Sequence, residues 1–166
     1  MEKIAKIALG SDHAGFDLKE QIRKYLIGKG IEVDDKGTNS KESCDYPQFA
    51  RAVAESVATG EVKRGIVCCG SGIGVSIVAN KVRGARAALC HDVESATLSR
   101  QHNNSNVLAL SGRTFDWSSM EQIIDAWLST DFEGGRHERR VEQIEHPREG
   151  EGAGAWKERR TRAGSL

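Results

Sequence analysis

Short apolar runs alternate with longer stretches of helical period along most of this chain, and that alternation is its strongest constraint on fold. Apolar runs occur at residues 4–9, 31–33, 65–69, 86–90 and 106–110. Each is about the length of a buried strand. Between them, residues 19–29, 47–57, 75–82, 92–101 and 118–128 carry apolar residues at helical spacing, and residues 137–145 predict one more helix. Ser11 and Asp12 are candidate caps for the first helix, and Pro47 suits the first turn of the second. Parallel neighbours need crossovers, and crossover helices cover both sheet faces. The pattern therefore predicts an α/β fold: a three-layer α/β/α sandwich on a five-stranded parallel, Rossmann-like sheet.

In such a sheet, ligands bind beyond the carboxyl ends of the strands. This places Ser11-Asp12-His13, Cys69 to Gly74, His91-Asp92 and Ser111-Gly112-Arg113 along one rim. The rim assignment uses topology alone, yet it collects much of the chain's polar chemistry.

Composition removes several classes. Lys plus Arg (24) equals Asp plus Glu (24), so bulk charge does not favour nucleic acid. No apolar run approaches the roughly 20 residues of a spanning helix, and Met1 leads straight into a strand without a signal-like segment. Cys44, Cys68, Cys69 and Cys90 lack a C-x-x-C spacing and read as reduced thiols. These features predict a cytoplasmic protein without nucleic-acid or membrane partners. Residues 1–146 read as one domain. The glycine-rich, charged stretch 147–166, with Trp156 as its only large apolar residue, reads as a flexible extension.

The sharpest local motif is Gly70-Ser71-Gly72-Ile73-Gly74, running from a strand into a helix. Backbone N–H groups there can cradle an anion, or simply form a tight turn. No Gly-Lys-Ser/Thr follows, and Val75 stands where a dinucleotide motif wants its third glycine. Cys69 precedes the loop, where a helix start favours a thiolate; the alternative is a small buried hydrophobe. Cys68 points to the other sheet face, and Cys44 and Cys90 read as structural. Asp12 and His13 suit a sugar hydroxyl or a phosphate, or Asp12 is a helix cap. His102 ends a helix and is either a general acid or a surface residue. Arg136 and Arg140 lie four apart on one helix face, fitting a phosphate grip or a solvated pairing with Glu133 and Glu138. No carboxylate–histidine cluster of the kind used for a metal-assisted hydride shift stands out.

Taken together, Gly10-Ser11-Asp12-His13-Ala14-Gly15-Phe16, Asp45-Tyr46-Pro47, Cys69 to Gly74, Ala79-Asn80-Lys81, Leu98 to Asn103, Asn106 to Ala109 and Glu133 to His137 resemble the sugar-phosphate isomerase family. That family includes type B ribose-5-phosphate isomerases and allose-6-phosphate and galactose-6-phosphate isomerases. The resemblance runs from about residue 4 to residue 145. It implies a metal-free, cofactor-independent aldose–ketose isomerase of the pentose phosphate pathway. Cys69 is then the base between C1 and C2, since Val75 replaces the glutamate used by other members. Ser71 and the amides of Gly70, Gly72, Ile73 and Gly74 hold the enediolate oxygen. His102 helps open the furanose ring, aided by Asp12. His13, Arg113, Arg136 and Arg140 match phosphate contacts, and Tyr46 and Asn103 line the sugar pocket. The resemblance also implies a homodimer, or a dimer of dimers, with sites at the subunit interface.

Other readings stay open at this point. A six-carbon substrate such as allose 6-phosphate is one, with Ser40, Lys41 and Glu42 shaping pocket depth. A non-catalytic phosphate- or nucleotide-binding module is another. A cysteine phosphatase wants an arginine closing the loop after the thiol, and residues 69–75 contain none.

Overall fold

The computed structural model describes residues 4–146, so the expected 147–166 extension lies outside the described residues. The described residues fall into two units that meet between Glu133 and Gly134 in the sequence. In the first, the order is β1(Lys6–Ser11), α1(Phe16–Gly28), β2(Glu32–Asp35), α2(Tyr46–Ala58), β3(Arg64–Cys69), α3(Ile73–Ala79), β4(Ala87–Leu89), α4(Val93–Asn103), β5(Val107–Ser111) and α5(Trp117–Ser129). In the second, the described residues carry α6(Arg136–Glu145).

All five strands pair in parallel, in the order β2-β1-β3-β5-β4. The central strands β1, β3 and β5 are buried nearly throughout, as strands covered on both faces must be. On one face, Leu18, Ile22 and Leu26 of α1, Ala96 of α4 and Ile123, Ile124 and Trp127 of α5 pack against Ile7, Leu9, Ile66 and Leu108. On the other, Ala50, Val53, Ala54 and Val57 of α2 and Val75 and Ala79 of α3 cover Ala8, Val67, Val107 and Ala109. The small side chains of the second face let α2 approach closely. A Cβ on Gly65 would stand 2.5 Å from Val53 Cγ1. The three-layer architecture is therefore the predicted one.

The elements shift locally from expectation. The helix expected from residue 19 starts at Phe16, with Gly15 at its N-cap and no side-chain cap. Ser11 ends β1, and Asp12 accepts the Gly15 N–H at 3.0 Å, closing the turn ahead of the helix rather than capping it. The helix expected at 75–82 spans Ile73–Ala79, because Gly72, at φ +75°, releases the chain into it two residues earlier. Asp92 and Asp116 cap α4 and α5 by accepting the N–H of Ser95 and Ser119, at 2.6 and 2.9 Å. No helix among the described residues is long and apolar enough to cross a membrane.

Candidate active site

β1 lies between β2 and β3, and the chain reverses direction across the sheet at β1 and β3. In open α/β sheets the carboxyl ends of the strands at such a switch point are where ligands bind. Asp12 and His13 leave β1 there, and Cys69 ends β3.

Side-chain alternation separates the vicinal thiols. Cys68 packs with Leu9, Ile66 and Leu110 on one face; Cys69 packs with Val67 and Val75 on the other. Cys68 is fully buried, and desolvation, with Cys69 and Asp12 nearby, pushes its thiol far above the ordinary range. Cys68 is thus a core thiol. Cys69 retains 5% exposure at the strand's open end, and its Sγ accepts the Gly72 N–H at 3.2 Å. A donor aimed at sulfur is placed to meet negative charge on it.

Gly72 is required sterically, and side chains crowd the other two glycines of the loop. A Cβ on Gly72 would stand 2.6 Å from Leu89 Cδ1 and 2.9 Å from the Leu110 carbonyl carbon, and its positive φ disfavours a side chain. A Cβ on Gly74 would meet the Tyr46 ring at 2.7 Å, and one on Gly70 would meet the Arg113 guanidinium at 3.1 Å. Tyr46 and Arg113 therefore lie directly against the loop. The loop is pinned from behind: Ser111 Oγ donates to Gly70 O at 2.9 Å and the Gly112 N–H to Cys69 O at 2.8 Å. Ser71 is exposed, and its Oγ accepts the Ile73 N–H at 3.3 Å.

His13 Nδ1 accepts the Cys44 N–H at 3.2 Å. That contact places the proton of a neutral ring on Nε2, leaving Nε2 as a donor. Cys44, read from sequence as structural, thus orients a candidate site residue through its backbone. The two are 31 positions apart, and no local pattern links them. Lys19 is also new to the site's surroundings. Its side chain is buried and paired with Asp35 and Glu20, and a Cβ on Gly37 would touch its stem at 2.7 Å. It fastens the segment after β2 beside the end of β1, where the Thr38 N–H donates to Ser11 O at 3.0 Å.

Asp12, His13, Tyr46, Gly70, Ser71, Gly72, Ile73, Gly74, Cys69 and Arg113 therefore share one rim. His102 and Asn103 do not. They end α4, which runs from the carboxyl end of β4 back to the amino end of β5. The amino end of β5 pairs with the start of β3: Gly65 opposes Val107, whereas Cys69 opposes Ser111. Four residues of strand separate the two ends, about 13 Å. Within one chain, His102 and Cys69 sit at opposite ends of the sheet. His102 Nε2 lies 3.9 Å from Glu133 Oε2, and the Glu133 N–H donates to Gln101 O at 3.1 Å. Arg136 and Arg140 are exposed on α6, where Arg136 Nε donates to His137 Nε2 at 3.3 Å.

Residues 7–144 match the ribose/galactose isomerase family. Over 139 residues the chain is 53% identical to ribose-5-phosphate isomerase B of Escherichia coli, covering 84% of this chain and 93% of that protein. It is 45% identical to D-erythrulose-4-phosphate isomerase of Pectobacterium atrosepticum, over 83% of this chain and 91% of the other. Among solved structures, a ribose 5-phosphate isomerase from Thermotoga maritima superposes with a TM-score of 0.84 at 51% identity, covering 87% of this chain and 99% of that one.

Proposed function

The chain belongs to the ribose/galactose isomerase family, and from that premise we propose that it interconverts ribose 5-phosphate and ribulose 5-phosphate, with Cys69 as the base. The observation that carries the reading is the Cys69 sulfur at the open end of β3, facing the Gly72 N–H. The thiolate removes the proton from C2 of the open aldose. The C2–H electrons form the C1–C2 double bond, and the carbonyl electrons move to O1. Loop amides from Gly70 to Gly74 and the Ser71 hydroxyl stabilise this enediolate, in an oxyanion-type role. The thiol then returns the proton to C1 while the O2 proton passes to O1, so that C1 keeps a hydroxyl and C2 becomes the ketone carbonyl.

Ribose 5-phosphate is mostly a closed furanose, so the C1–O4 bond must break first. The ring oxygen gains a proton and the C1 hydroxyl loses one. His102 is the acid in this step, and Asp12 assists at the sugar hydroxyl. His13 Nε2 and the guanidinium groups of Arg113, Arg136 and Arg140 bind phosphate. Tyr46 and Asn103 line the sugar.

Because Cys69 and His102 occupy opposite ends of one sheet, we assign them to different subunits of a homodimer within each site. Ile73 and Ile77, one turn apart on α3 and 54% and 55% exposed, supply an apolar surface beside the glycine loop for that contact. A homodimer or a dimer of dimers, a cytoplasmic location and independence of metal and cofactor complete the proposal.

One relative is named for a tetrose phosphate, so substrate length is part of the test. Purified protein is assayed with EDTA on ribose 5-phosphate, allose 6-phosphate and erythrose 4-phosphate, beside Cys69→Ala. Turnover fastest on ribose 5-phosphate and lost in the variant supports the reading. A faster rate on another sugar reassigns the substrate. No turnover in folded protein leaves a binding module.

A further inference from the structure

The imidazole assigned to ring opening stands on the last turn of α4, and that turn ends in an uncommon way. Asn104, the C-cap, is the one non-glycine among the described residues with positive φ, at φ 46° and ψ 44°. Asparagine tolerates this region better than most residues, but a side chain there still needs support. The support comes from two arginines. Arg86 Nε and Nη2 donate to Asn104 O at 3.1 and 3.0 Å. Arg100 Nη1 donates to Asn104 Oδ1 at 2.9 Å and to Ser105 O at 2.5 Å.

Arg100 also reaches a second segment. Its Nε donates to Thr130 O at 3.2 Å, just beyond α5. Three residues later, Glu133 places its backbone N–H on Gln101 O and its carboxylate 3.9 Å from His102 Nε2. One guanidinium thus ties together the turn that follows His102 and the segment that carries the carboxylate facing it. Arg100 is 7% exposed, and burial together with the nearby Arg64 and Arg86 lowers its pKa to about 10. A cation placed there at such cost, bonding carbonyl and amide oxygens across two segments, has a geometric role that a hydrophobic residue would not fill.

We propose that Arg100 is a positioning residue for ring opening: it fixes His102 and Glu133 relative to one another without touching substrate. The proposal rests on the ring-opening role of His102. Lysine in its place keeps the charge but loses the planar fork that spans both segments.

The test compares a closed with an open substrate. Ribose 5-phosphate is mostly cyclic, whereas 4-deoxyribose 5-phosphate lacks the hydroxyl that closes the furanose. Arg100→Lys, Asn104→Gly and His102→Asn are assayed on both, each normalised to wild type. Glycine adopts the Asn104 backbone readily and removes only the Oδ1 contact, so Asn104→Gly reads the same geometry if Arg100→Lys does not fold. The expected result is a loss of kcat/KM of roughly tenfold or more on the cyclic sugar and less than about threefold on the open one, in all three variants. If His102→Asn shows this selectivity while Arg100→Lys and Asn104→Gly lose both activities equally or lose neither, Arg100 is only scaffold and the proposal is wrong. If His102→Asn itself shows no selectivity, the ring-opening assignment fails and the proposal falls with its premise.

Discussion

Cys69 and His102 stand at opposite ends of one parallel sheet, Cys69 level with the last residue of β5 and His102 just before its first. A site using both needs two chains, and this gives a sharp mixing test. Cys69→Ala and His102→Asn homodimers are each expected to be impaired. Exchanging subunits between them should restore about one quarter of wild-type activity, since half of randomly paired dimers are hybrids and each hybrid holds one intact site of two. Activity that stays at the average of the two parents would place both residues in one chain's site.

Cys69→Ala should lower kcat by about 10²–10⁴-fold while leaving phosphate binding nearly unchanged, because the proton carrier is lost and the anion contacts are not. Isothermal titration with a non-reactive pentitol 5-phosphate reads the binding. Equal loss of affinity and turnover would mean the thiol holds substrate rather than moving a proton.

Gly72→Ala puts a methyl group against the Leu110 backbone at positive φ. Denaturant unfolding should show a destabilisation of about 1–3 kcal/mol. Turnover should fall further, because the N–H that faces Cys69 Sγ moves with the loop. Gly60→Ala is the comparison: its φ is also positive, but nothing lies within 4 Å, so only the stability cost should appear.

Arg136→Ala and Arg140→Ala should each raise KM for ribose 5-phosphate by roughly tenfold, the scale of one charged hydrogen bond, with a smaller change in kcat. An unchanged KM in both would move the phosphate site away from α6.

Asp92 and Asp116 accept helix N–H groups, and those bonds hold both carboxyls below the ordinary value of 3.8. A carboxyl depressed in the folded state stabilises the protein above its unfolded pKa, and that contribution disappears as pH falls through the lower folded value. Asp92→Ala/Asp116→Ala should therefore melt below wild type near pH 7, with the gap narrowing below about pH 4. A gap independent of pH would show that charge plays no part in these caps.

Burial sorts the four thiols. Cys68 is fully enclosed and held protonated by desolvation, and Cys90 is nearly so; Cys69 meets the rim and Cys44 is half-buried. Sequence supported part of this ranking. Two consecutive strand residues face opposite sides, so only one of Cys68 and Cys69 can meet the helix that follows the loop. The role of Cys44 was not legible, because its contact with His13 spans 31 residues and runs through a backbone N–H common to every non-proline residue.

Local chemistry in the chain determined the strand–helix alternation, the parallel sheet and the rim that holds Asp12, His13, Cys69 and the glycine loop. Those properties follow from apolar period, from the crossover that parallel strands require and from the turn chemistry of glycine. Tertiary structure alone decided how α4 and β5 set His102 at the far end of the sheet. It also decided that Arg100 joins the α4 turn to the chain beyond α5, and that Tyr46 and Arg113 lie on Gly74 and Gly70. Each of these depends on where distant segments meet, and sequence spacing along one element carries no record of that meeting.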